Sequence, residues 1–174
     1  MSVLPIIMAP DPVLKRICAA VERVDDEVRR LMDDMLETMY AAPGVGLAAP
    51  HVGALRLVIV VEISDPEGAR APLLMADPEI IEASKEASPR EEGCLSFPEH
   101  YAEVSRPDRV RVRYIDHENE VREIEADGLL STCVQHERDH LDGVLFVDHI
   151  SMIKRGIILR KMTKLKKAEA MVGA

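Results

Sequence analysis

Apolar residues recur along this chain with two different periods, and the places where the period changes mark out the elements. Between Asp25 and Ala42, Val28, Leu31, Met32, Met35, Leu36, Met39 and Tyr40 fall at helical spacing, and acidic residues stand in the first turn, where the helix dipole favours them. This predicts an amphipathic helix, stopped by Pro43, whose methionines are packing residues. Leu55 to Ile63 is a nearly continuous run rich in Val and Ile, which predicts a strand buried on both faces. Residues 64–71, with Pro66 and Gly68, read as a surface turn, and Leu73 to Ser84 as one or two short strands interrupted at Asp77-Pro78. Strict alternation appears where Val110, Val112 and Tyr114 interleave with Arg109, Arg111 and Arg113; Asp116 to Asn119 then turns the chain, and Glu120 to Glu125 returns as the second arm of a hairpin.

The last third is helical again. Asp127 can N-cap a helix that ends before Gly143. Val144 to Val147 reads as a short strand, and Ser151 caps a final helix, Met152 to about Ala170, with Ile153, Ile157 and Leu165 able to dock on the body while a basic face stays wet. Met1 to Val24 has no sustained period, so a loop with a turn after Pro12 and little functional signal is expected. One helix, several strands and then two helices indicate an α+β domain with mainly antiparallel sheet. No repeat or linker divides residues 1–174, so one domain is expected.

Composition narrows the setting. The chain has 174 residues, enough to bury a sizeable core, and 47% hydrophobic content is ordinary for a globular protein. No apolar run is long enough to span a membrane, and Met1 to Pro10 lacks the features of a signal peptide, so a cytoplasmic protein with no membrane partner is expected. Three cysteines without an export signal argue against a disulfide framework and leave thiols for packing or metal. The net charge of −9 is uneven: residues 154–174 carry seven basic side chains against Glu169, a net +6, which leaves −15 on the rest. A basic tail on an acidic body suggests an acidic partner for the tail, nucleic acid being a candidate beside a merely solvated helix.

The chemistry centres on Gln135 to Gly143. His136 and His140 are four residues apart with Glu137 between, the HExxH pattern of a metal helix. On a helix both imidazoles share a face and can bind one ion, while Glu137 reaches its water. A hydrolytic site needs one more protein ligand and one open position. Cys133 lies about 7.5 Å along the axis from the expected ion level at 1.5 Å per residue, too far for so short a side chain. Cys94, on a Gly-preceded loop, can be delivered by the fold, whereas Cys18 has no polar motif around it. Such a site lowers the pKa of its water, Glu137 is the proton acceptor, and a backbone N–H next to Cys94 can serve the developing oxyanion. Gly44-Val45-Gly46-Leu47-Ala48-Ala49-Pro50-His51 has almost no side-chain bulk, so a ligand can approach its backbone, though a tight helix-to-strand connection would look the same.

Three stretches together, GVGLAAPH at 44–51, EGCLS at 92–96 and QHERDHLDG at 135–143, closely resemble the motifs of the bacterial peptide deformylases in order and spacing. The resemblance covers nearly the whole chain. It implies mainly antiparallel sheets packed around a central metal-binding helix, with a C-terminal helix. It also implies hydrolysis of the N-formyl group from the formyl-Met end of nascent polypeptides. Carried over by motif, Cys94, His136 and His140 bind the metal and Glu137 is the general base and then acid. Leu95 offers its backbone N–H to the oxyanion, the Val45-Gly46 backbone pairs with the peptide, and Leu129 and Cys133 line the methionine pocket. The donor set alone suggests zinc, whereas the resemblance implies Fe2+, with Zn2+, Ni2+ or Co2+ able to substitute. It further implies ribosome docking, for which the basic residues 154–174 are the candidate surface; no DNA partner is expected.

Two departures stand out. The family pattern ends its first motif in glutamine, where this chain has His51; a neutral imidazole offers one donor to the oxyanion, with a different reach. After EGCLS, the run Glu99-His100-Tyr101 differs from the family's usual one. The competing readings are an HExxH-type metallopeptidase, against which the cysteine speaks, and a catalytically impaired peptide-binding relative, against which Glu137 speaks.

Overall fold

The computed structural model describes residues 2–64, 68 and 71–172. Asp25 opens helix α1, Asp26–Ala41, by accepting a hydrogen bond from the Val28 N–H at 3.0 Å, and Asp26 and Glu27 fill the first turn. The stripe expected to be apolar is the one that packs: Val28, Met32, Met35 and Met39 share a core with Leu47, Val58 and Val60. The 3-10 turn Pro12–Lys15 lies where a turn after Pro12 was expected, and the surface turn expected over 64–71 falls largely outside the described residues.

The strands in chain order are β1 (Gly46–Ala48), β2 (Val58–Val61), β3 (Leu73–Ala83), β4 (Ala87–Cys94), β5 (Phe97–Pro107), β6 (Arg109–Ile115) and β7 (Val121–Asp127). Five of them form an antiparallel sheet in the order β1-β2-β3-β6-β7, and β4 pairs with β5 in a second, two-stranded sheet. All of β2 is buried, as its unbroken apolar run predicts. In β6, Val110, Val112 and Tyr114 face the core and the three arginines face out.

Strand β3 runs straight through Asp77-Pro78. Its register against β6 shifts between Ala76 and Glu79, and Asp77 takes a φ of 48°. A proline has no N–H for the ladder, so the break in the pattern is a bulge rather than a strand end. The Asp77 carboxylate accepts the N–H groups of Val21 and Glu22 at 2.7 and 3.1 Å, tying the N-terminal segment to the sheet. The β4–β5 hairpin is not announced by alternation, because its inward positions include Glu92 and Arg106 as well as Phe97 and Val104.

Helix α2, Gly128–Leu141, leaves directly from β7 and packs on β1, β2, β5, β6 and β7, so the metal-ligand pattern sits at the centre of the molecule. Asp127 occupies its N-cap position without a side-chain capping bond. Just past the helix, Gly143 has a φ of 73°, and a Cβ there would lie 2.3 Å from the Lys15 carbonyl oxygen. Only glycine lets the chain turn at that point.

The short strand expected over Val144–Val147 is absent. Phe146–His149 forms a 3-10 turn instead, with the Asp148 carboxylate accepting the Leu145 N–H at 2.9 Å. A buried apolar run of four has no period that distinguishes the two. Helix α3, Met152–Val172, begins where Ser151 Oγ accepts the Lys154 N–H at 3.2 Å. It docks through Ile158, Leu159 and Met162, whereas Ile153, Ile157 and Leu165, expected to dock, are 77%, 41% and 41% exposed. Among the described residues no helix is long and apolar enough to cross a membrane.

Candidate active site and metal centre

The helical period of α2 puts His136 and His140 on one face, both buried, with their Nε2 atoms 3.3 Å apart. The register shift between Gly93 and Cys94 at the end of the β4–β5 ladder turns Cys94 toward them, and its Sγ lies 3.5 Å from His140 Nε2. Burial alone would raise the Cys94 pKa. The His140 and His51 rings, with hydrogen bonds to His136 and His140, outweigh it and hold the group well below the ordinary thiol value, the direction that favours a thiolate ligand. Cys133 behaves oppositely: burial, with Glu137 and Glu92 nearby, pushes it up to about 12, and it remains a thiol.

Among the described residues, the side chains able to share an ion fall into two overlapping groups, His51-Cys94-His140 and His136-Glu137-His140. The ligands expected from the motifs are thus gathered around His140, and Cys133 belongs to neither group. Their chemistry suits a divalent cation. His136 Nδ1 lies 2.9 Å from Glu92 Oε1; a carboxylate only accepts, so Nδ1 carries a proton and Nε2 is the nitrogen turned toward the donor cluster, the one a metal would take. Burial would raise the Glu92 carboxyl, but hydrogen bonds from His136 and Arg106 prevail and hold it below the usual range. Arg106 grips Glu92 through Nε at 2.6 Å and Nη2 at 3.0 Å and reaches Asp139 through Nη1 at 2.8 Å.

Glu137 is buried beside the two histidines. Its Oε2 has no hydrogen-bond partner among the described residues, and His51 Nδ1 lies 3.8 Å away. Gly46 explains how the carboxyl fits: a Cβ at that position would meet Glu137 Oε1 at 2.8 Å. The loop of small residues has therefore become edge strand β1 and the 3-10 turn Ala49–Val52, with its glycine closed over the acid.

These groups open into a cleft of about 650 Å³. Its lining includes Val45, Gly46, Leu95, Leu129 and Cys133 together with Cys94, His136 and Glu137. His51 is not among the lining residues. It is 1% exposed, with Nε2 at 3.4 Å from Cys94 Sγ and Nδ1 against the Ala48 backbone. Ile6 and Met8 also reach the cleft wall from the N-terminal segment, from which little functional signal was expected. Glu92 and Arg106 were missed as well; the first stands within the EGCLS stretch, whereas nothing near Arg106 in sequence marks it.

The sequence model of the polypeptide deformylase family matches residues 3–156. The chain belongs to that family. The peptide deformylase of Methylocella silvestris is 54% identical over 173 residues, covering 98% of this chain and 88% of that protein. The one from Mesorhizobium japonicum is 49% identical over 170 residues, covering 98% and 97%. The crystal structure of the Ehrlichia chaffeensis peptide deformylase superposes with a TM-score of 0.92 at 36% identity, over 97% of this chain and 99% of that one. A second structure of the Ehrlichia protein, in complex with actinonin, gives a TM-score of 0.90 at 39% identity, over 94% and 98%. Deformylases are metal-dependent hydrolases that remove the N-formyl group from nascent formyl-Met peptides, and this chain is an enzyme of that class.

Proposed function

We propose that this deformylase works with Cys94, His136 and His140 as metal ligands and Glu137 as the group that takes and returns the proton. The observation that carries the assignment is the unpartnered Oε2 of buried Glu137, closed in by Gly46 beside the donor cluster. A divalent cation held there supplies a Lewis acid that polarises the formyl carbonyl and acidifies water. Glu137 accepts the proton of the attacking water and delivers it to the departing amine as the formyl C–N bond breaks. The Leu95 N–H, next in chain to Cys94, serves the oxyanion. Oxyanion donation from His51 Nε2 competes with its contact to Cys94.

Strand β1 is an edge of the five-stranded sheet, so the Val45-Gly46 backbone can take an extended peptide as an added strand. Leu129 and Cys133, on the first turns of α2, then receive the methionine side chain. We assign Fe2+ as the ion in the cell, with Zn2+, Ni2+ or Co2+ able to occupy the same donors, and expect activity to fall on exposure of anaerobically prepared protein to air. A substrate found on nascent chains supports a cytoplasmic enzyme. The exposed basic side chains of α3 suit docking on the ribosome, and co-sedimentation with ribosomes should be lost when residues 154–174 are removed.

The test is formate release from a formyl-Met peptide by anaerobic protein, with Glu137→Ala beside it. The variant should keep its metal content and lose about 10²–10⁴-fold in rate. Undiminished release by the metal-loaded variant would reject the role of Glu137.

A further inference from the structure

We infer that His51 is a positioning residue for the ligand sulfur: its Nε2–H donates to Cys94 Sγ, so the one donor of the ring goes to the sulfur and the oxyanion is left to the Leu95 N–H. The inference rests on Cys94 as a metal ligand, as proposed above. It concerns the position where the family pattern has glutamine.

The backbone decides which ring nitrogen carries the proton. The Ala48 N–H points at His51 Nδ1 from 2.9 Å, and an amide keeps its proton, so Nδ1 must accept. A second proton on Nδ1 would meet the first head-on. The Ala48 carbonyl oxygen, farther away at 3.2 Å, and Glu137 Oε2, at 3.8 Å, are then neighbours rather than partners. What remains is a neutral imidazole protonated at Nε2. That nitrogen faces Cys94 Sγ at 3.4 Å, a hydrogen-bond distance for so large an atom, and the sulfur accepts.

The contact is braced from outside the site. Ile7 donates its N–H to the His51 carbonyl oxygen at 2.7 Å, and its own carbonyl oxygen accepts Ser96 Oγ–H at 2.6 Å. The Ala9 N–H reaches the Ser96 carbonyl oxygen at 2.9 Å. Ser96 is two residues beyond Cys94. The N-terminal segment thus ties the 3-10 turn Ala49–Val52, which carries the imidazole, to the end of the hairpin that carries the sulfur, and holds the two at a fixed separation. The ring is buried and is not part of the cleft lining, so its N–H is turned to the sulfur and not to a bound carbonyl.

A donor aimed at a ligand sulfur fixes its direction and withdraws electron density from it, the kind of contact by which proteins tune thiolate–metal centres. The ligand set remains Cys94, His136 and His140, with a position open for water. A sulfur held in this way gives up an electron less readily, so charge transfer from it to a bound ion takes more energy.

Two measurements on the full chain test this. In the Zn2+-loaded, isotope-labelled protein, NMR of the His51 ring, assigned through its own backbone, shows which nitrogen is protonated. A proton on Nε2 that exchanges slowly with water is expected; a proton on Nδ1 with Nε2 bare would overturn the inference. In protein loaded anaerobically with Co2+, the sulfur-to-metal charge-transfer band of His51→Phe should lie at longer wavelength than that of the unaltered chain. A band that does not move would reduce His51 to packing and overturn the inference as well. No such band in the unaltered chain would remove Cys94 as a ligand and the inference with it, whereas a band beside an Nδ1 proton overturns the inference alone. The NMR result decides the matter even if the variant fails to fold.

Discussion

Arg106 and Glu92 form a bidentate ion pair, at 2.6 and 3.0 Å, with side chains that are 6% and 4% exposed, and the same Glu92 oxygen that takes Arg106 Nη2 also faces His136 Nδ1. The pair therefore joins the β4–β5 hairpin to α2 and sets the ring of one metal ligand. Arg106→Leu should cost about 3–5 kcal/mol, because it strips the guanidinium from a buried carboxylate and leaves it only the His136 contact. It should also lower metal affinity about 10–100-fold through the disturbed His136. Denaturant unfolding and a metal titration check the two separately; unchanged affinity would mean that the pair is structural alone. Arg106→Lys should not restore the site, since an ammonium cannot grip both oxygens in the same plane.

Gly46 tests the placement of Glu137. A Cβ at residue 46 would lie 2.8 Å from Oε1 and 2.9 Å from Cγ of Glu137, so Gly46→Ala must push the flexible carboxyl aside while the strand stays in place. The expected result is a loss of about 10²-fold in kcat/KM, as for a misplaced catalytic group, with metal content and folding unchanged. Full activity in a folded Gly46→Ala protein would show that the carboxyl does not act from this position.

The parts of the molecule legible in sequence are those where the signal is local. The methionine stripe of α1, the alternation of β6 and the spacing of His136, Glu137 and His140 each depend on neighbours within a few residues, and each appears as expected. Cys94 is distant, yet its place beside a glycine made it recognisable. Arg106 and Glu92 were not legible because a charge at an inward strand position breaks the alternation by which strands are read, and their partners come from another strand and from α2. The face of α3 was misjudged for a related reason: with apolar residues on several sides of that helix, only the surface it meets decides that Ile158, Leu159 and Met162 are covered. The position of His51 behind Cys94 follows from how the β1 turn meets the hairpin, which no single motif encodes.

Gly143 is a backbone requirement that can be measured by itself. Its φ is 73°, and the atom a side chain would meet is the Lys15 carbonyl oxygen at 2.3 Å, which belongs to backbone and cannot rotate away. Gly143→Ala should destabilise the protein by at least about 1–3 kcal/mol, the cost of the left-handed conformation before the clash is added. Urea unfolding at fixed metal concentration measures the loss, and a change below about 0.5 kcal/mol would contradict this account.

Asp148 couples three segments and gives a pH dependence of definite sign. Its carboxylate accepts the Leu145 N–H at 2.9 Å, Lys15 Nζ at 2.7 Å and Arg155 Nε at 2.9 Å, so it links the turn Pro12–Lys15, the turn Phe146–His149 and α3. Burial would raise its pKa, but these three donors outweigh burial and hold it below its ordinary value of 3.8. A group whose pKa is lower folded than unfolded stabilises the fold above the unfolded value and loses that contribution as pH falls through the folded one. Asp148→Asn should therefore be less stable than the unaltered chain at pH 7, by about 1–2 kcal/mol given the partly exposed cations. The gap should narrow below pH 3.8, where the unaltered chain becomes protonated at the same site. Paired urea titrations of the two proteins cancel the other carboxyl groups, and a gap independent of pH would place the stabilisation in packing rather than in charge.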